Sequence, residues 1–263
     1  MSLGGAPLAR RVEDLLQKGG NANRLVMECS VGFLVLRGAR GGEAITVEAQ
    51  AGRHLPDDRP LDGEQRQRLV RAGLRQAHAG DLFRGRWPVR SAEDATRIVG
   101  QALALLDDVY RRPPSDPVRA RLDLEERPAL DDADVVGAMT QLSKARDTAS
   151  RNRVYMALCR ALLVLPVAGD AAPEDAAPFE PRAMDELGGA AIAAIFTDWD
   201  TFDRYAPRGL PAVLRQGFDV FPVLHAARVG SVLINPRGRV GGELYAHEVA
   251  SIAEGIGRLR GES

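Results

Sequence analysis

The sequence predicts two mixed domains of α+β or α/β class: an antiparallel sheet with flanking helices, followed by a sheet covered by helices. The 263 residues suit two domains of roughly 100–150 residues each. β-rich runs lie between amphipathic helices in the first half, and strands alternate with helices in the second. A proline-rich, charged stretch separates the halves. We therefore assign residues 1–112 and 131–263 to domains and residues 113–130 to a linker.

The first half begins with a helix and continues into paired strands. Leu8, Val12 and Leu15 form one apolar helical stripe, which the glycine pair at residues 19–20 ends. The β-rich runs that follow are at residues 25–28, 31–37 and 43–49. A glycine-rich turn signal joins the last two runs, which predicts a hairpin.

The second half has the pattern of strands and helices in turn. Helices are predicted at residues 132–146 and 151–160, and again at the end of the chain. Short apolar runs predict strands at residues 162–167, 190–196 and 231–235. Residues 168–182 are rich in Ala, Pro, Asp and Glu, which predicts an acidic loop.

Capping patterns locate the starts of three helices. Asp62 with Gln65 has the spacing of a capping box, and Ser91 precedes a long apolar stripe. Thr197 is predicted to cap a helix that has Asp200 three residues further on. We interpret the side chains of four residues as structural caps: Asp62, Ser91, Thr197 and Asp200.

The composition is that of a folded protein in a reducing compartment. The formal charge of −1 gives no general attraction to nucleic acid or to an anionic membrane. No apolar run approaches the ~20 residues that span a bilayer, and no signal peptide is recognisable. Cys29 and Cys159 stand alone among apolar neighbours, so we expect free thiols. With arginine far above lysine, these features indicate a bacterial cytoplasmic protein.

No motif in the sequence predicts catalysis, a metal site or a cofactor. The four histidines form none of the paired spacings of metal ligands. Asp198, Asp200 and Asp203 lack the glycine and distant glutamate of a calcium loop, so we interpret them as helix-terminal charges. The glycine-rich residues 238–242 lack the sequence context of a phosphate-binding loop. Residues 83–90 mix arginines with aromatics, but an amphipathic edge segment explains them better than a nucleic-acid site.

The second half resembles the SseB family. The resemblance rests on the strand at 162–167, on the sequence IFTD at 195–198, and on VLINP at 232–236 before an acidic helix. It implies a small α/β domain with no established set of catalytic residues.

The first half resembles peptide-binding chaperone-like domains related to type III secretion chaperones and to YbjN. The paired strands, the Glu48-Ala49 pair, Trp87-Pro88 and the helix that ends at Tyr110 carry the resemblance. Gly52 and Leu74 stand where the family often has Asn and Trp. The resemblance therefore implies the fold and not the details of binding.

From the chaperone-like resemblance we expect a sheet face or edge that takes an extended partner segment by burial and strand addition. Its predicted residues are Val31, Phe33, Val35, Ile45, Val47 and Trp87. The same side chains have a structural alternative, which is to pack against the helices of their own domain. A homodimer through the sheet is a third use of this surface.

The sequence thus predicts a non-catalytic protein that binds another polypeptide, as a chaperone-like protein for a secreted or toxin-type chain. Two alternatives stay open. One is a structural subunit or adaptor of a larger bacterial assembly, and the other is an enzyme with a site between the domains.

Overall fold

The computed structural model describes residues 5–52, 55, 60–77, 82–169, 180–183, 185–187 and 190–261. The chain divides into two compact units, Met1–Pro128 and Ala129–Ser263. Helices and largely antiparallel sheets are present in both, so the α+β mixture predicted from the sequence is confirmed. Most of the predicted acidic loop, residues 170–179, lies outside the described residues.

The N-terminal unit is built on a six-stranded antiparallel sheet. Its spatial order is β4-β5-β3-β2-β1-β6. The strands are β1 (Asn23–Cys29), β2 (Gly32–Gly38), β3 (Ala44–Gln50), β4 (Arg75–Ala77), β5 (Leu82–Pro88) and β6 (Arg119–Asp123). The helices are α1 (Gly5–Gln17), α2 (Gly63–Arg71) and α3 (Ala92–Asp108).

One face of this sheet packs against α1 and α3. Leu34 and Leu36 of β2 point to that face, because side chains two residues apart on a strand share a side. Their neighbours in the core include Leu8 and Leu15 of α1 and Ile98 of α3, all buried. The helical stripes and the strand periodicity therefore meet in one apolar layer.

Strand β6 lies inside the stretch predicted as a linker. It pairs with the outer side of β1, where Arg24 is opposite Asp123 and its Nε donates to the carboxylate at 2.8 Å. The prolines of the segment flank the strand and do not interrupt it. Ala120 and Leu122 alternate with arginines and pack against the core. The N-terminal unit accordingly runs to Pro128 and not to residue 112.

The C-terminal unit contains a two-stranded and a four-stranded sheet. The first pairs β7 (Leu162–Pro166) with β10 (Ala212–Gln216). The second has the order β12-β11-β9-β8, with β9 and β11 parallel. Its strands are β8 (Asp185–Leu187), β9 (Ala190–Ile195), β11 (Ser231–Ile234) and β12 (Gly242–Tyr245). The helices are α4 (Ala133–Ala145), α5 (Thr148–Arg160), α6 (Trp199–Tyr205), α7 (Gly217–Ala226) and α8 (Ala246–Arg260).

The main core of this unit joins α4, α5, α7 and α8 to β7, β9 and β11. Phe221 and Leu224 of α7 are fully buried in it. Gly217 begins α7 where a Cβ atom would stand 2.0 Å from the carbonyl oxygen of Leu158, so only glycine fits this approach of α7 to α5. A smaller cluster joins Phe196 and Phe202, whose rings meet edge to face.

The helix caps differ from the sequence prediction at one position. Asp62 accepts from the Gln65 backbone N–H and Gln65 accepts in return, and Ser91 accepts from the third residue of α3. At α6 the cap is Asp198, whose carboxylate accepts from the Thr201 N–H at 2.6 Å. Thr197 and Asp200 are therefore not the capping pair, and Asp200 is simply an acid in the first turn.

Candidate functional site

The six residues predicted as an N-terminal binding surface do not share one exposed face. Val31, Ile45, Val47 and Trp87 lie in the core between the sheet and its own helices. Each is buried, and Ile45 and Trp87 are opposite one another in the β3–β5 ladder. These four side chains therefore pack against the helices of their own domain, as in the structural alternative.

Phe33 and Val35 point to the opposite face of the sheet, where they cluster with Val26. They too are buried, with 4% and 0% of their surface exposed. Alternation along β2 explains the difference, because odd-numbered residues face away from the helices that cover Leu34 and Leu36. The predicted apolar surface is thus wrong as a single exposed patch.

A buried carboxylate lies on this second face. Glu48 of β3, whose side chain is 3% exposed, contacts two arginines from neighbouring strands. Its Oε2 accepts from Arg37 Nε at 3.0 Å and its Oε1 accepts from Arg84 Nη2 at 2.7 Å. Charged side chains are rarely buried unless they are paired in this way. The face is therefore an ionic layer around a small apolar centre.

The IFTD and INP sequences meet at the ends of the parallel strands β9 and β11. The Thr197 N–H donates to Asn235 Oδ1, and Asn235 Nδ2 donates to Thr197 Oγ1, both at 2.8 Å. Both residues are at most 2% exposed. Asn235 has a φ of 46°, a left-handed conformation that asparagine tolerates better than most residues. We interpret the Thr197–Asn235 pair as a structural tie between the two motifs.

A cleft of about 440 Å³ opens in the C-terminal unit between the α4–α5 helices and β12. We call it the β12 cleft. Met139 and Leu142 of α4 and Val154 of α5 form its apolar side, and Glu243 and Leu244 lie on its strand side. β12 is an end strand of its sheet, with β11 as its one neighbour among the described strands. The cleft thus adjoins a sheet edge.

The orientation of β12 follows from its hydrogen bonds. The Tyr245 N–H donates to Glu248 Oε2 at 3.0 Å, whereas the Ala246 N–H donates to the Gly230 carbonyl at 3.0 Å. Tyr245 therefore faces away from β11. Glu243, two residues earlier, has the same orientation, so its N–H and C=O point outward from the edge.

A polar cluster closes the end of the β12 cleft. The Tyr155 hydroxyl donates to Glu248 Oε1, and Arg151 Nη1 lies 3.7 Å from the same oxygen. Burial, with the neighbouring carboxylate second, raises the pKa of Tyr155 well above its ordinary value. The phenol stays protonated at neutral pH and holds Glu248 in place. The cluster ties Tyr245, at the end of β12, to α5 through Glu248.

Two shallower grooves lie on either side of α5. One, of about 350 Å³, runs between α5 and α8, and the other, of about 560 Å³, runs between α4 and α5. Met156 lines both grooves. We call the two grooves with Met156 between them the α5 face.

Neither cysteine has the environment of a nucleophile. Burial raises the pKa of the Cys159 thiol to about 11, and burial also raises that of Cys29. Within the described residues, no group of three or more His, Cys, Asp or Glu side chains could hold a metal ion. No helix in this part of the chain is long and apolar enough to span a membrane.

We expect Cys159 to react slowly with iodoacetamide in the native protein. Its pKa rises from 9.0 to about 11, so at pH 8 its thiolate fraction is about 100-fold lower than in the unfolded chain. Any stability that depends on this protonated thiol is complete below pH 9 and is lost as the pH rises toward 11. Mass spectrometry of alkylated peptides, with and without urea, measures both cysteines in one sample. Equal rates in the two conditions would contradict the buried, protonated thiol.

The β12 cleft was not among the sequence-predicted sites. Its strand has only four residues, and only Leu244 among them is buried, so no alternation stands out. The glycine pair at residues 241–242 and the return of apolar spacing after Tyr245 were the available signals. They mark a turn before a helix, but they do not show an edge.

One family model matches the chain, under the description SseB protein N-terminal domain, and it covers residues 135–251. No curated protein and no solved structure matches. The matched residues include the β12 cleft, the Thr197–Asn235 tie and part of the α5 face. The N-terminal resemblance to secretion chaperones has no such match and stays a prediction. The resemblance of the C-terminal half to the SseB family is confirmed over residues 135–251.

Proposed function

We propose that this protein is a non-catalytic binding protein that takes an extended segment of another polypeptide at the β12 edge. The outward backbone groups of Glu243, beside the β12 cleft, carry the proposal. An unpaired strand edge offers hydrogen bonds to any extended backbone, and an adjoining pocket selects side chains.

The geometry of a strand supplies the selection. Leu244 and Gly242 point toward the α4–α5 side, since Leu244 lies in the core and a Cβ on Gly242 would meet Met139 at 3.1 Å. In a strand paired with β12, the residue opposite Leu244 would point to the same side. Its side chain would enter the β12 cleft among Met139, Leu142 and Val154. An aliphatic or aromatic residue suits that lining.

The energetics favour a reversible complex. Burying one large apolar side chain contributes about 1.5–3 kcal/mol, and each backbone hydrogen bond about 0.5–1.5 kcal/mol. Glu243 alone supplies an outward N–H and C=O, which allows only a short ladder. Tyr245 is the N-cap of α8, so its carbonyl belongs to the helix and its N–H already donates to Glu248. We expect affinities in the micromolar range and not tighter.

The cellular setting belongs to the same proposal. A bacterial cytoplasmic location agrees with two free cysteines and a formal charge of −1. The partner is a client chain or a subunit of an assembly, held without a cofactor. A chaperone-like N-terminal unit would add a second contact to the same partner.

The test is to pan a phage library of random linear peptides against the full chain and to measure the selected peptides by fluorescence anisotropy. The variant Glu243→Pro removes the outward N–H and should weaken binding about tenfold. Glu243→Ala keeps that N–H and is the matched control. Leu142→Trp fills the cleft and should also weaken binding.

Two results would count against this site. If no peptide is selected, the proposal of extended-peptide binding is wrong. Suppose that peptides bind the wild type and Glu243→Pro equally, and that Glu243→Pro and Glu243→Ala both melt like the wild type. The binding site then lies elsewhere on the protein.

A further inference from the structure

We infer that the α5 face is a second, separate docking surface, and that its partner is an acidic amphipathic helix of another protein. This inference goes beyond strand addition at β12 and does not depend on it. It rests on exposed apolar side chains, on two open grooves and on the charges around them.

The α5 face exposes large apolar side chains that the unit's own helices leave uncovered. Met156 of α5 is 43% exposed and Leu259 of α8 is 74% exposed. Both line the groove between α5 and α8, together with Ile252 and Ile256 from the core. A flexible methionine at the centre of a groove adapts to varied apolar partners.

The shape of the surface favours a helix. Each groove runs between two neighbouring helices, and a helix laid into such a groove packs its ridge of side chains between theirs. Gly137 of α4 and Gly255 of α8 line the grooves, and a Cβ added at either would meet no atom within 4 Å. The grooves are therefore open where a partner helix would approach. Helix-in-groove recognition then uses apolar anchors at i, i+3 or i+4, and i+7.

The charge around the grooves favours an acidic partner. Helix α5 carries Arg151, Arg153 and Arg160 and no acidic residue. Arg153 and Arg160 line the α4–α5 groove. Arg153 interacts electrostatically with Asp147, the N-cap of α5, which is not among the residues that line the groove. Of the residues that the structure describes, Asp134 is the one acid that lines either groove. A helix with apolar anchors and flanking glutamates would match both the grooves and this field.

The experiment uses a helical peptide library displayed on phage and panned against the full chain. Its apolar anchor positions vary among Leu, Met, Ile and Phe, and its flanking positions vary between Glu and Lys. We expect glutamate to be enriched at the flanks. Selected peptides should bind at least about tenfold more weakly when those glutamates are changed to lysine, and binding should weaken at high salt.

Charge-reversal variants give the matched control. Arg153→Glu/Arg160→Glu should abolish the glutamate preference, whereas Arg228→Glu/Arg239→Glu, an equal change at exposed sites of the same unit, should not. Met156→Asp should weaken binding and Met156→Leu should preserve it. Peptides that bind the two double variants equally, an enrichment of lysine, or no enrichment at all would each overturn the inference.

Glycine variants separate docking from folding. Gly255→Ala and Gly100→Ala both add a methyl group into open space on a helix, so both should raise the melting temperature through better helix propensity. Gly255 lines the α5–α8 groove, whereas Gly100 lies in the N-terminal unit. Gly255→Ala should weaken helix binding severalfold and Gly100→Ala should leave it unchanged. Equal binding by the two variants would contradict docking in the α5–α8 groove.

Discussion

Replacing Glu48 by alanine is expected to lower the free energy of unfolding of the N-terminal unit by about 3–5 kcal/mol. The carboxylate is 3% exposed and contacts both Arg37 and Arg84. Removing it takes away an acceptor that Arg37 and Arg84 share. The two guanidinium groups then face each other across β3, where they are less solvated than in the unfolded chain. Because both arginines are partly buried, the cost is expected to exceed that of an exposed ion pair.

Urea unfolding in a Trp199→Phe background measures this change, because Trp87 is then the single tryptophan and is buried in the N-terminal core. Glu64→Ala is the control. Its bond to Arg68 is also 2.7 Å long, but both side chains are exposed, so its loss should cost less than about 1 kcal/mol. Similar losses for Glu48→Ala and Glu64→Ala would show that the buried ionic layer adds nothing.

Replacing Asn235 by alanine is expected to destabilise the C-terminal unit by about 2–4 kcal/mol. The substitution leaves the buried Thr197 N–H and hydroxyl without their partner, and an unsatisfied buried polar group costs about 1–3 kcal/mol. Asn235→Gly relieves the left-handed backbone but removes the same amide. It should therefore recover only the part of the loss that comes from φ.

Hydrogen exchange of β9 and β11 measures the loss locally, by mass spectrometry of their peptides. A double-mutant cycle with Thr197→Val isolates the side-chain bond, and we expect a coupling energy of about 1 kcal/mol. If Asn235→Gly exchanges like wild type, the amide contributes nothing, and the motif depends on backbone conformation alone.

Local chemistry made the helices predictable from the sequence. The stripe through Leu8 and Leu15, and the Asp62 and Ser91 patterns, each depend on neighbours within a few residues. Pairing partners cannot be found in that way. The prolines around β6 predict a linker, because its partner strand, β1, lies about a hundred residues earlier in the chain.

The sequence could not show, for a related reason, that the six predicted binding residues are buried on two different faces of the sheet. Periodicity shows that Phe33 and Leu34 point to opposite sides of β2, but both sides of the strand are apolar and both are buried. In a strand whose polar and apolar residues alternate, the pattern itself would have shown which side faces the core. The β12 edge was equally hidden, because a four-residue strand carries too few positions for a pattern.

The place of β6 also bears on how the chain is made. Arg24 of β1 and its partner Asp123 are 99 residues apart. At synthesis rates of about 5–20 residues per second, the outer edge of β1 waits roughly 5–20 s for the strand that covers it. During that interval the outer edge of β1 is an open ladder of backbone N–H and C=O groups. A ribosome-bound chaperone, or slow pairing of the earlier strands, would protect the growing chain from sticking to its neighbours.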